Sequence, residues 1–242
     1  MKVTARLLIT AAVVLLVSRL GLADRPSDAR TVINKAIQAT GGLEVLKKYQ
    51  AQTWKDTGTY YGMGEGLPYT GEYAIQWPDK FRMEIKDVFV IVLNGDQGWV
   101  SAMGKTTEMT KEQLAEQQKS HYCGWVTTLA PLGDTSFKLS LADSGDEGTV
   151  GVKVEREGQR DVTLYFDKKT HLLAKSAFIV HPDEQGGKEV LAEYYYKDYK
   201  DFGGMKISTT INILHDGKRF VDAKNSDIKP LEKLDDSVFA KP

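Results

Sequence analysis

The sequence predicts a mainly β protein, a curved antiparallel sheet whose concave face is apolar and covered by helices. Three observations lead there. From Gln52 onward apolar and polar residues alternate with a period of two, as half-buried strands require. The alternating segments are parted by turn-forming clusters such as "GMGEG", "NGDQG", "DSGDEG", "DKKT", "KDFGG" and "HDGK", connections too short for anything but antiparallel neighbours. Two segments of helical spacing, one at the start and one mid-chain, supply the cover.

Lys2 and Arg6 precede an apolar run from Leu7 to Val17, and Gly21 and Ala23 set small residues before Asp24, the pattern of a cleaved export signal over residues 1–23. A retained anchor fits less well, because spanning hydrocarbon takes about 20 apolar residues and Arg19 interrupts the run. Residues 24–242 then read as a single domain without a linker. The formal net charge of −1, with acids and bases intermixed, gives no electrostatic basis for binding nucleic acid or an anionic membrane. Cys123 is the only cysteine, so stability rests on a packed core rather than on an intrachain disulfide.

Ala29, Val32, Ile33, Ala36 and Ile37 recur at helical spacing behind a capping Ser27 or Asp28, and Gly41-Gly42 ends the helix. "LEVLKKYQ" reads as a short second helix with Leu43, Leu46 and Tyr49 inward. "QTWKDTGTYYG" and "PYTGEYAIQW" form a hairpin, and Pro78-Asp79 marks a bend, since proline cannot donate to a ladder. Phe81, Met83 and Ile85 then alternate with Arg82, Glu84 and Lys86. The run Val88–Leu93 loses that alternation, so both of its faces are expected to be covered, one by the core and the other by an additional element. Thr110 and Gln113 stand at capping-box spacing ahead of a helix carrying Leu114, Tyr122, Val126 and Leu129 on one stripe, with Trp125 beside it. Placed between strands of a meander, this helix must cross a sheet face or a sheet opening. Seven more alternating segments follow, and "LDDSVFAKP" closes the chain as a tail docked by Val238 and Phe239.

In this order the parts resemble the outer-membrane lipoprotein carrier family, the LolA/LolB-like proteins. The resemblance spans nearly the whole mature chain and is carried by "WPDKFR" from Trp77 to Arg82, "NGDQGW" from Asn94 to Trp99 and the closing Asp235 to Phe239. It implies an open half barrel of roughly eleven strands with helices closing the hollow, and a periplasmic carrier or sensor of acyl chains. This chain departs from the pattern in two places. Trp77 stands where the carriers often have an arginine that helps hold the lid, and Gly203, Gly204 and Ser208 replace an expected glycine-proline step.

The expected ligand-binding lining is Trp77, Met83, Phe89, Ile91, Leu93 and Trp99, with Trp125, Val126 and Leu129 from the mid-chain helix, of which Trp125 and Leu129 would shut the empty hollow. The same residues would also serve as ordinary core filling. Expected partners are the acyl chains of a lipid or lipoprotein, together with an envelope delivery or acceptor protein, and the carrier is expected to be monomeric. No cofactor is implied. His121 with Cys123, and His181 with Asp183 and Glu184, fall short of the converging ligands that zinc needs. With no nucleophile elbow, zinc-protease helix or phosphate loop, the chain reads as a non-enzyme. The rival readings are an envelope scaffold with a filled core and, ranked last, a hydrolase built around His121 or His181.

Overall fold

A computed structural model describes residues 28–182 and 186–242. The expected export signal, Ser27, Asp183 and Glu184 lie outside the described residues. Helix α1 (Ala29–Thr40) starts at Asp28, whose side chain accepts the Thr31 N–H at 2.6 Å. It stops at Gly41, where a Cβ would sit 2.4 Å from the Gly204 carbonyl oxygen. The double glycine therefore ends α1 and also lets it touch a distant strand turn. Helix α2 (Leu43–Lys48) follows.

The first half of the sheet consists of β1 (Ala51–Tyr60), β2 (Leu67–Gln76), β3 (Lys80–Ile85), β4 (Phe89–Asn94), β5 (Gln97–Ala102) and β6 (Lys105–Glu108). Helix α3 (Lys111–Thr127) opens with the expected capping box between Thr110 and Gln113. The chain then turns at Leu129, left-handed at φ 64°, into a 3-10 turn over Ala130–Gly133. The second half consists of β7 (Lys138–Ala142), β8 (Thr149–Glu155), β9 (Val162–Asp167), β10 (Leu173–Val180), β11 (Val190–Phe202), β12 (Met205–His215) and β13 (Lys218–Leu231).

These thirteen strands make one antiparallel sheet in the order β6-β5-β4-β3-β2-β1-β13-β12-β11-β10-β9-β8-β7. The first and last strands meet in its middle, and the two ends of the order, β6 and β7, are the strands that α3 joins. The sheet is thus an unclosed meander with α3 lying across its opening, in contact with β4 on one side and with β9 and β10 on the other. The count exceeds the expected eleven. Much of the excess is β6, a polar four-residue edge strand without the apolar alternation that marks the others.

The concave face is filled unevenly. Over the second half, α1, α2 and α3 seal a continuous core containing Val152, Val154, Val162, Leu164, Phe166 and Phe178. Behind the first half, on the convex side, the C-terminal 3-10 turn (Asp236–Phe239) buries Phe239 against Ala74, Val92 and Trp99. That tail is the additional cover that the apolar run of β4 called for. It is pinned by Lys80–Asp236 at 2.8 Å and by Leu234 N–H donating to Gln76 Oε1 at 2.8 Å.

Candidate functional site: an apolar hollow under the lid helix

Strand register fixes which side chains share the concave face of the first half. Tyr73, Met83, Ile91 and Val100 stand in one cross-strand row. Ile75, Phe81, Leu93 and Gly98 form the next, and a Cβ at Gly98 would lie 3.1 Å from Leu114 Cδ1 of α3, which identifies this face as the one beneath the helix. Phe89 faces the same way, opposite Ile85. Most of these residues remain only half-buried, unlike their counterparts on β8–β10.

Two cavities mark the space that is left. One of about 210 Å³ lies between the central strands and the C-terminal end of α3, lined among others by Trp54, Trp77, Leu129, Tyr196, Tyr199 and Ile211. Another of about 320 Å³ opens beside α3 between Ile91 and Val100 on one wall and Tyr194, His215 and Phe220 on the other. The larger falls at the lower end of ligand pockets, roughly 300–1,000 Å³, and the smaller below it.

Trp77 closes the hollow against α3. Its indole stacks on His121 with ring centroids 4.6 Å apart, and Phe81 approaches the same imidazole at 5.9 Å. Gly124, one helical turn from His121, makes room: a Cβ there would lie 3.3 Å from Trp77 Cη2. Burial presses His121 down to about pH 4 for titration, against a weaker upward pull from a hydrogen bond with the Pro78 backbone, so the ring is neutral at neutral pH. Its Nε2 is buried without a hydrogen-bond partner. An aromatic stack thus joins the strand wall at Trp77 to the helix.

On its other flank α3 is held by charge. Arg160, in the β8–β9 turn, makes a bidentate pair with Glu116 at 2.7 and 3.0 Å, and the His181 backbone N–H donates to the same carboxylate at 2.9 Å. Burial opposes ionisation of Glu116, but the Arg160 and His181 bonds outweigh it and keep the carboxyl below its ordinary range. The latch borders the 320 Å³ cavity through Glu116 and His181.

Of the expected lining, Trp77, Met83, Phe89, Ile91, Leu93 and Leu129 lie on the hollow side. Three do not line it. Trp99 pairs with Val92, points to the convex face and packs on Phe239. Val126 is sealed in the core of the second half. Trp125 packs beside that core and borders two outer clefts, near Gln118 and Arg156 and near Pro131 and Phe137, so on α3 it is His121 rather than Trp125 that meets the strand wall, at Trp77. Sequence reasoning did not place Trp54, Tyr73, Phe81 or His121 in the lining, and read Tyr196 and Tyr199 only as a weak signal of a lipid-facing edge. The first three share a face with Met83 by simple alternation, and that signal could have found them.

The site has little reactive chemistry. Burial lifts the Cys123 thiol to about 12, far from a nucleophile's range. Among the described residues no group of three or more His, Cys, Asp or Glu side chains could hold a metal ion. What the hollow offers is apolar surface.

No protein-family model and no curated protein matches the sequence. Solved structures do match it in shape. A LolA superfamily protein from Nitrosomonas europaea superposes with a TM-score of 0.56 at 12% identity, covering 88% of this chain and 98% of the other. A DUF1329 family protein from Desulfovibrio piger gives 0.57 at 11% identity, with 88% and 97% covered. A domain from Vibrio parahaemolyticus assigned to outer membrane lipoprotein sorting gives 0.55 at 11%, with 86% and 97% covered. The open thirteen-stranded sheet with a helix across its gap is therefore the half-barrel fold of the LolA superfamily.

Proposed function

We propose that this protein is an exported, periplasmic carrier or sensor that buries the acyl chain of a lipid or lipoprotein in the hollow under α3, without catalysis. The reading rests on one contrast: the apolar wall of β2–β5 is left half-exposed, bordering the 320 Å³ cavity through Ile91 and Val100, while the matching wall of β8–β10 is packed solid. A fold that needed only a core would have filled both. The assignment of the Vibrio parahaemolyticus domain to lipoprotein sorting supports the same direction.

The energetics suffice. Each methylene withdrawn from water contributes about 0.8 kcal/mol, so ten contribute roughly 8 kcal/mol before the costs of association. Micromolar affinity corresponds to about 8 kcal/mol, so longer chains or packing on the aromatic rings must cover those costs. In the empty protein the Trp77–His121 stack closes the hollow. Affinity is then set by how much more favourably the wall packs on a chain than on its own lid.

A displacement titration with a fluorescent fatty acid tests this. Ile91→Asp places a charge on the wall without touching the convex cluster, and should weaken binding at least about tenfold while the far-ultraviolet spectrum stays unchanged. Equal affinity of parent and variant, or absence of saturable binding in the parent, would refute the reading.

A further inference from the structure

Among the described residues Asp56 is the one charged side chain buried in the fold, at 5% exposure. It stands on the concave face of β1, two residues from Trp54 and opposite Gly71 and Asn225. Trp54, the next residue on its face, and Asn225, its cross-strand partner, both line the 210 Å³ cavity.

Its surroundings are built around it. Gly58 and Gly71, its neighbours on the same face, leave room that the rings of Tyr69 and Tyr73 occupy. A Cβ at Gly58 would come within 2.8 Å of the Tyr69 ring, and one at Gly71 within 2.6 Å of both the Tyr73 ring and Asp56 Oδ1. The two phenols thereby converge on one carboxylate. Tyr69 Oη donates to Oδ2 at 2.9 Å, and Tyr73 turns its hydroxyl toward the same group. Oδ1 is buried with the Tyr73 hydroxyl and the Gly71 N–H beside it, and neither reaches full hydrogen-bonding geometry. A buried acceptor lacking a donor costs stability, and a site that keeps one is complete only when something else supplies the donor.

We propose that Asp56, Tyr69 and Tyr73 form the polar anchor of the hollow, and that they bind the N–H-bearing head of an acylated ligand, an amide or an ammonium group, in preference to a fatty carboxylate. This rests on the acyl-chain reading above and names its ligand class. An amide or ammonium N–H completes Oδ1, and the tail runs from there along Trp54 and Trp77. A carboxylate head would instead bring a second negative charge against Asp56 in a poorly solvated site.

The test uses the purified protein and three chain-matched probes, dodecylamine, lauramide and laurate, titrated below their micelle concentrations and read by quenching of the cavity tryptophans. Amine and amide should each bind at least about tenfold more tightly than laurate, as charge-assisted and donor-specific contacts allow. Asp56→Asn should shrink both preferences to within about threefold by weakening amine and amide binding. In the empty protein the same substitution should hold or raise the melting temperature, because it removes a buried carboxyl, whereas a purely structural Asp56 predicts a fall. Laurate binding as tightly as the amine, or preferences untouched by Asp56→Asn, would overturn the anchor and leave the hollow reading standing. Failure of all three probes to bind would overturn both.

Discussion

At the scale of single residues, Trp77 and Trp99 show how far alternation can be trusted. They were expected on one wall and stand on opposite faces of the sheet. The information needed was in the turn. With Gly95 and Asp96 as the two turn residues, Asn94 pairs with Gln97, Leu93 with Gly98 and Val92 with Trp99. A hollow that takes Ile91 and Leu93 therefore cannot also take Trp99. The unbroken apolar run of β4 hid this, because a strand covered on both faces shows no preferred one. The two tryptophans should behave differently on truncation. Trp99→Ala should cost about 3–5 kcal/mol of stability by emptying the packing around Phe239, with acyl affinity unchanged when measured where the protein remains folded. Trp77→Ala should change stability less and speed ligand exchange by about tenfold, a barrier difference near 1.4 kcal/mol. Chemical denaturation and stopped-flow displacement separate the two outcomes.

His121 adds a pH dependence. Its folded-state titration lies near 4, below the ordinary histidine value of 6.5, because burial disfavours the charged ring. Between those values the unfolded chain takes up a proton that the native protein refuses, so the neutral ring's contribution is complete above about pH 6.5 and is lost as the pH falls toward 4. The whole effect is about 3 kcal/mol. Urea unfolding of the parent and of His121→Phe should diverge over that interval, with the variant losing less stability. Parallel profiles would show that the ring is not held neutral by the stack.

At the scale of elements, α3 was legible as a capped helix placed between strands, and so was its need to cross either a sheet face or a sheet opening. Its orientation was not. The residues that anchor it, Glu116 and Arg160, are 44 positions apart and meet only because β8 and β9 bring their turn to the helix. No local pattern reports such a pairing. Arg160 is nearly buried, and Arg160→Ala strands the Glu116 carboxylate beside the core. The expected cost is about 3 kcal/mol, reduced from the fully buried case because Glu116 keeps some solvent. Arg160→Lys should recover only part of it, since an ammonium cannot reproduce the two-pronged contact. Thermal denaturation of both variants gives the comparison. The C-terminal tail was easier to read, because Val238 and Phe239 are apolar residues in an otherwise polar ending and had to dock somewhere.

At the scale of the molecule, the antiparallel arrangement followed from turn spacing, because short connections enforce antiparallel neighbours. The meeting of β1 with β13 did not. It depends on sheet curvature summed over thirteen strands, which no single segment encodes. The uneven filling of the concave face was invisible for a related reason. Met83 and Ile91 on the open side and Val152 and Leu164 on the packed side follow the same alternation, and only the placement of the helices distinguishes them.

Whether an acyl chain lies along that open wall is best decided by intermolecular nuclear Overhauser effects between a bound chain and assigned methyl groups. Effects to Met83 and Ile91 are expected, with none to Val90 and Val92 on the convex side. Effects confined to the convex methyls, or a chain that touches neither wall, would show that the hollow is not the binding site.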